Sequence, residues 1–238
     1  GVWYYKGVSL LSLEKYDEAI VCFDKVLKID TNNVIYHYKK GGALFGLEKY
    51  DEAITHFDKV IVDDETVGTV LKDKGMALHH LGKHDEAIKY LDRALDVYEH
   101  HDEIILYWKG TALLYLKKYD EAIVCFDKVI KEDPSGSDSW TSKGMALYFT
   151  EKYEESLICY DKAIEIDGED EYVLWMKGSV LFALERFDEA LICSNKAIEM
   201  NNTKSDTWNL KGQVLERLGK YDEAKKCYDK FDELSSDE

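Results

Sequence analysis

The chain has 238 residues, 45% of them hydrophobic and 33% charged, with 15 Gly and a single Pro. That balance is too apolar and aromatic for a disordered chain, and too poor in Pro and Gly for a collagenous or low-complexity one. The 48 Asp and Glu against 31 Lys and Arg leave a net charge of −17, which is repelled by nucleic-acid phosphates and by anionic membranes. No apolar run is long enough for a transmembrane helix. The start, GVWYYKGVSL, lacks the basic and long apolar segments of a signal peptide. It also lacks an initiator Met, so the chain is expected to be a piece whose parent continues upstream of Gly1. Five Cys without a secretory signal point to a reducing, cytoplasmic compartment.

Taken in order, the chain repeats itself. Tyr16-Asp17-Glu18-Ala19 returns at Tyr50, His84, Tyr119, Tyr153, Phe187 and Tyr221. A Lys-Gly pair precedes each copy at a constant interval, from Lys6-Gly7 to Lys211-Gly212. The step is 34 residues except once, where it is 35, with the extra residue near 98–102. The units are 1–33, 34–67, 68–102, 103–136, 137–170, 171–204 and 205–238. Each reads as two helices, because apolar residues recur at three- and four-residue spacing, as in Ala19, Phe23, Val26 and Leu27. The helices break at segments such as Leu81-Gly82-Lys83, and the second opens on Asp-Glu, which complements the helix dipole. Turn residues such as Asp30-Thr31-Asn32-Asn33 and Asp133-Pro134-Ser135-Gly136 separate the units.

This pattern resembles the tetratricopeptide repeat (TPR) family. Repeat position 4 is Trp3, Trp140 and Trp208, position 8 is always Gly, position 11 always Leu, and position 20 is Ala in six units and Ser156 in the fifth. Position 24 is Phe23, Phe57, Leu91, Phe126, Tyr160, Ser194 and Tyr228. Position 32 is Pro only at Pro134, and position 7 is always Lys. The resemblance covers the whole chain. It implies an all-α fold, an α-solenoid (right-handed superhelix) of about 14 antiparallel helices, forming a single array over 1–238. It places the first helix of each pair on a concave face and the second on a convex one.

Three positions carry further expectations. Positions 21 and 28, apolar in units one to six, become Lys225 and Asp232 in unit seven, which reads as a C-terminal cap. The Lys at position 7 lies on a largely apolar arc, and either snorkels to water or meets an acid. Position 25 offers that acid, pairing Asp24 with Lys40, Asp58 with Lys74, Asp92 with Lys109, Asp127 with Lys143 and Asp161 with Lys177. The five Cys all occupy position 23, a spacing that suits neither metal ligation nor disulfides. They read as small buried hydrophobes. The seven His, between His37 and His101, read as groove and loop residues titrating near neutral pH, with no metal site.

In arrays resembling this one, partners touch positions 2, 5, 9, 12 and 13 of the first helices. In units four to six these positions are rich in aromatics. The candidate partner-binding residues are Tyr107, Trp108, Tyr115, Met145, Tyr148, Phe149, Tyr172, Trp175 and Phe182, since Trp and Tyr give large contact area at small entropy cost. The Lys and Asn residues by which chaperone-tail TPR domains clamp a carboxylate are absent, as is an Asn ladder. The expected function is a non-enzymatic protein–protein interaction scaffold. It takes a peptide or helix with a hydrophobic or amphipathic segment, without a cofactor, metal, nucleic acid or membrane partner. The alternative is self-association as a homo-oligomer within a larger protein. No nucleophile–base pair, phosphate loop or ligand cluster points to an enzyme.

Overall fold

The computed structural model describes residues 1–60, 67–98 and 102–236. Ile61, His100, His101 and most of the 35-residue irregularity lie outside the described residues. Among the described residues every regular element is an α-helix. The chain divides into two compact units, Gly1–Lys118 and Tyr119–Glu238.

The first unit contains α1 (Val2–Ser12), α2 (Tyr16–Leu27), α3 (Val34–Gly46), α4 (Tyr50–Phe57), α5 (Val67–His80), α6 (His84–Val97) and α7 (Glu103–Tyr115). The second contains α8 (Tyr119–Glu132), α9 (Ser137–Phe149), α10 (Tyr153–Asp167), α11 (Glu171–Ala183), α12 (Phe187–Met200), α13 (Ser205–Arg217) and α14 (Tyr221–Ser235). Within each unit every helix packs on the next in sequence. The first helices of successive pairs also touch one another, α1 with α3, α3 with α5 and α5 with α7 in one unit, and α9 with α11 and α11 with α13 in the other. Within either unit, no second helix contacts the next second helix among the described residues. The first-helix side is therefore the inner side of the curve within each unit.

Each first helix ends in the same way. Glu14, Glu48, Gly82, Lys117, Glu151, Glu185 and Gly219 all have positive φ, between 57° and 75°. The next residue's N–H donates back to the Leu at repeat position 11, as Lys15 N does to Leu10 O (2.9 Å) and Lys49 N to Leu44 O (2.9 Å). This is a Schellman termination, with a left-handed residue one place past the helix C-cap. Several first helices are opened by turn residues. Asn33 Oδ1 accepts from Tyr36 N (3.3 Å), Asp102 Oδ1 from Ile105 N (2.9 Å), and Asp170 Oδ1 from Tyr172 N (2.9 Å).

The constant glycine explains how closely the two helices of a pair approach. A Cβ on Gly41 would lie 2.6 Å from the Phe57 ring, and one on Gly212 2.6 Å from the Tyr228 ring. The position-24 ring thus fills the space that a side chain at position 8 would need. Phe23, Phe57, Phe126 and Tyr160 are fully buried in this way.

The Lys–Asp ladder is present. Lys40 reaches Asp24 at 2.6 Å, Lys109 reaches Asp92 at 2.5 Å, Lys143 reaches Asp127 at 2.6 Å and Lys177 reaches Asp161 at 2.6 Å, while Lys74 bonds Asp58 and the Tyr90 hydroxyl (2.9 Å). Each bridge ties a second helix to the first helix of the following repeat. All five cysteines are free and buried, and burial pushes the Cys159 thiol up to about 11. On α14, Lys225 and Asp232 are exposed. No helix among the described residues is long and apolar enough to cross a membrane.

Candidate functional site

The nine candidate residues fall in both units. Tyr107, Trp108 and Tyr115 lie on α7, Met145, Tyr148 and Phe149 on α9, and Tyr172, Trp175 and Phe182 on α11. Spacings of one or two helical turns, or of adjacent residues, put the members of each group on adjoining faces of their helix. Tyr115 is 68% exposed, Phe149 51% and Tyr172 39%, whereas the other six are half-buried.

In the first unit Trp108 is the centre of a ring cluster. Tyr107 meets it edge-on at 5.8 Å, and His79 and His80 approach it at 5.2 and 5.0 Å. In the second unit Tyr148 lies against Phe149 (5.4 Å) and Tyr153 (5.7 Å), and Tyr172 against Trp175 (5.7 Å). Met145, Tyr148, Trp175 and Phe182 also pack on the core built around Tyr160, Met176 and Leu181. Those four side chains therefore serve the fold on one side and the surface on the other.

The sequence reading missed a stacking ladder. Position 13 of one repeat lies flat on position 17 of the repeat before. His80 stacks on Tyr50 at 4.7 Å and 6°, Tyr115 on His84 at 4.6 Å and 15°, and Phe149 on Tyr119 at 5.0 Å and 13°. Arg217 continues the pattern, its guanidinium 4.7 Å above the Phe187 ring. Where position 13 is Gly46, the Tyr16 ring takes the space itself, within 2.5 Å of where a Cβ would sit. Tyr115 and Phe149 thus spend one face on stacking and present the other to solvent. The signal was visible, since position 17 heads the phrase that marks each repeat and is aromatic or His in all seven.

The histidines correct a second expectation. Burial pulls His79 down to about 4, with His84 and His80 pushing the same way. His80 and His84 are lowered chiefly by burial. Burial also brings His56 to about 4, reinforced by Lys40, His37 and Lys59. His79 and His56 are therefore neutral at pH 7 rather than poised near it, and burial moves His80 and His84 in the same direction. The Nδ1 atoms of His79 and His84 are buried with no hydrogen-bond partner, a setting that penalises charge. His37 Nδ1 lies 2.8 Å from His56 Nδ1, and His37 Nε2 2.9 Å from Thr31 O. Because the carbonyl can only accept, His37 donates from Nε2 and its Nδ1 accepts from His56. No group of three metal-ligating side chains is assembled among the described residues.

Comparison with known proteins agrees with this architecture. Tetratricopeptide-repeat models match residues 2–33, 66–131 and 107–171, together more than half of the chain. A model of subunit 3 of the anaphase-promoting complex (cyclosome) matches residues 149–231. No curated protein matches at a significant level. Among solved structures, YrrB, described as a TPR protein with an unusual peptide-binding site, is 27% identical over 72% of this chain and 88% of its own, with a TM-score of 0.63. A MamA structure is 26% identical over 68% of this chain and 94% of its own, with a TM-score of 0.62. MamA from Desulfovibrio magneticus RS-1, at 20% identity, shares the fold over 72% of this chain and 96% of its own, with a TM-score of 0.67. Repeating helix pairs, position-8 glycines closed by position-24 rings, and these matches together make the chain a member of the tetratricopeptide repeat family.

Proposed function

We propose that the chain is a non-enzymatic interaction scaffold whose seven repeats act as one array. It binds a peptide or helix through the apolar, aromatic side of its first helices. The observation that carries this reading is the exposure of rings braced by other rings on that side, above all the stacked Tyr115 and Phe149 and the tilted Tyr172 against Trp175. Rings held by neighbours lose little entropy when a partner covers them, so their contact area converts efficiently into affinity. The neutral His79 imidazole beside Trp108 keeps that patch apolar at physiological pH. Described as having an unusual peptide-binding site, YrrB is a precedent for this use of the fold.

The ligand class follows from the surface. A partner should present apolar side chains at i, i+3, i+4 and i+7, the spacing by which an amphipathic helix fills a groove. The net charge of −17 disfavours nucleic acid. Display selection of random peptides on the immobilised chain tests the class. Enrichment of apolar residues at helical spacing supports the reading, while enrichment governed by a terminal carboxylate or by charge alone contradicts it.

A further inference from the structure

The outer side of the second unit carries a surface of its own. Val124 on α8, Ile158 on α10 and Ile192 on α12 occupy repeat position 22 and are 55%, 58% and 57% exposed. Packing does not require them. The same position is Thr55, Lys89 and Lys226 on three other second helices, all exposed, while on α2 it is Val21, 54% exposed. Three consecutive repeats therefore hold β-branched apolar side chains in water where a polar one is tolerated.

Charges flank this row in order. One turn before it stand Glu121, Glu155 and Glu189, and one turn after it Lys128, Lys162 and Lys196, all exposed; the same acid and base positions recur on every second helix, but only here do three consecutive repeats place an apolar residue between them. Helix geometry puts each flank about 5–6 Å from the apolar row. Asp127 and Asp161, also beside the row, are already paired with Lys143 and Lys177. The exposed single contacts of Lys162 to Glu165 and Lys196 to Glu169 are of a kind worth little and readily exchanged, whereas Arg186 holds Glu189 through two parallel bonds of 2.7 Å.

We infer that this face binds a second copy of the chain. Its order, acid, apolar, base, is self-complementary about one two-fold axis only. With the axis along the apolar row, each apolar residue meets its own counterpart. The helices of the two copies run antiparallel, and each Glu row faces a Lys row. With the axis along the helices, Glu would face Glu and Lys would face Lys. An isologous contact is the commonest route to a dimer, and opposed charge rows set its register. The inner aromatic side of the first helices takes no part.

Sedimentation equilibrium of the whole chain tests this at about 0.15 M salt, where the Debye length of about 8 Å screens overall repulsion but not direct contacts. The expected result is a monomer–dimer equilibrium in the micromolar range. Ile158→Asp should weaken it at least about 100-fold, because the charge is buried at the centre of the contact. Ile158 is exposed, so the variant should keep its helical circular dichroism. Lys162→Glu should weaken the dimer, and Lys162→Glu with Glu155→Lys should restore it. Trp175→Ala, on the inner side, should leave it unchanged. A chain that stays monomeric to about 100 μM overturns the inference. So does an Ile158→Asp variant that dimerises like the parent, a charge swap that restores nothing, or dissociation by Trp175→Ala.

Discussion

Lys74 is the most deeply set of the bridging lysines. Its side chain is 7% exposed, against 25% for Lys177 in the equivalent bridge. Burial alone lowers an ammonium's pKa, yet the hydrogen bonds to Asp58 and Tyr90 outweigh it and hold Lys74 above its ordinary value. Removing the acid should therefore hurt unequally. Asp58→Ala is expected to cost about 1–3 kcal/mol, because it strands a buried charge. Asp161→Ala should cost less than about 1 kcal/mol, because water can take the place of the carboxylate. Urea denaturation of the two variants measures the contrast, and equal losses contradict it.

His79 gives a pH dependence with a definite sign. Its ring is held near 4 in the folded chain, while an unfolded His titrates near 6.5. Between those values the unfolded state binds more protons, so stability falls as the pH drops from about 6.5 to about 4. Below that range His79 contributes no further loss. His79→Gln, which cannot titrate, should reduce the acid-induced drop in the urea midpoint between pH 7 and pH 4.5. An unchanged drop would show that the ring is not held neutral. The ladder lysines and their acids could be paired from sequence, because both recur at fixed positions. The lowered His79 could not, because Trp108 and Tyr115, which help to bury it, lie 29 and 36 residues further on, and no repeat rule reports that burial.

At the scale of the element, the helix pair is set by two positions. The first is the left-handed residue after each first helix. Gly82 and Gly219 take it without strain, whereas Glu14, Glu48, Lys117, Glu151 and Glu185 do so with a Cβ. Glu48→Gly should therefore stabilise the chain by up to about 1 kcal/mol, net of Gly's greater freedom when unfolded. A lower melting temperature would contradict this. The second is the position-8 glycine. Gly41→Ala drives a methyl to 2.6 Å from the Phe57 ring and should cost about 1–3 kcal/mol. In unit six the facing residue is Ser194 rather than a ring, and a Cβ on Gly178 meets its nearest atom at 3.1 Å. Gly178→Ala should therefore be the milder change in parallel thermal melts. Helix boundaries were legible because Lys-Gly and the Asp-Glu opening recur with a fixed phase. The flat stacking of positions 13 and 17 was not, because those residues are 30 or 31 apart in sequence and meet only when repeats stack.

At the scale of the molecule, the fold was almost wholly readable, and the site only in outline. Sevenfold recurrence averages away local ambiguity, so each helix is supported by six others. A binding surface lacks that advantage, since it consists of the positions at which the repeats differ. Periodicity could nominate Tyr148 and Trp175 as facing inward. It could not divide their area between the core around Tyr160 and the solvent, nor foresee the exposed Val124, Ile158 and Ile192 on the other side. The account as a whole rests on the inner aromatic surface as the place where a partner sits. Titration calorimetry of a selected amphipathic peptide, against the parent chain and against a Tyr148→Ala, Trp175→Ala variant of unchanged helicity, tests it most directly. The account predicts at least about a tenfold loss of affinity in the variant. Equal affinity for the two would contradict it.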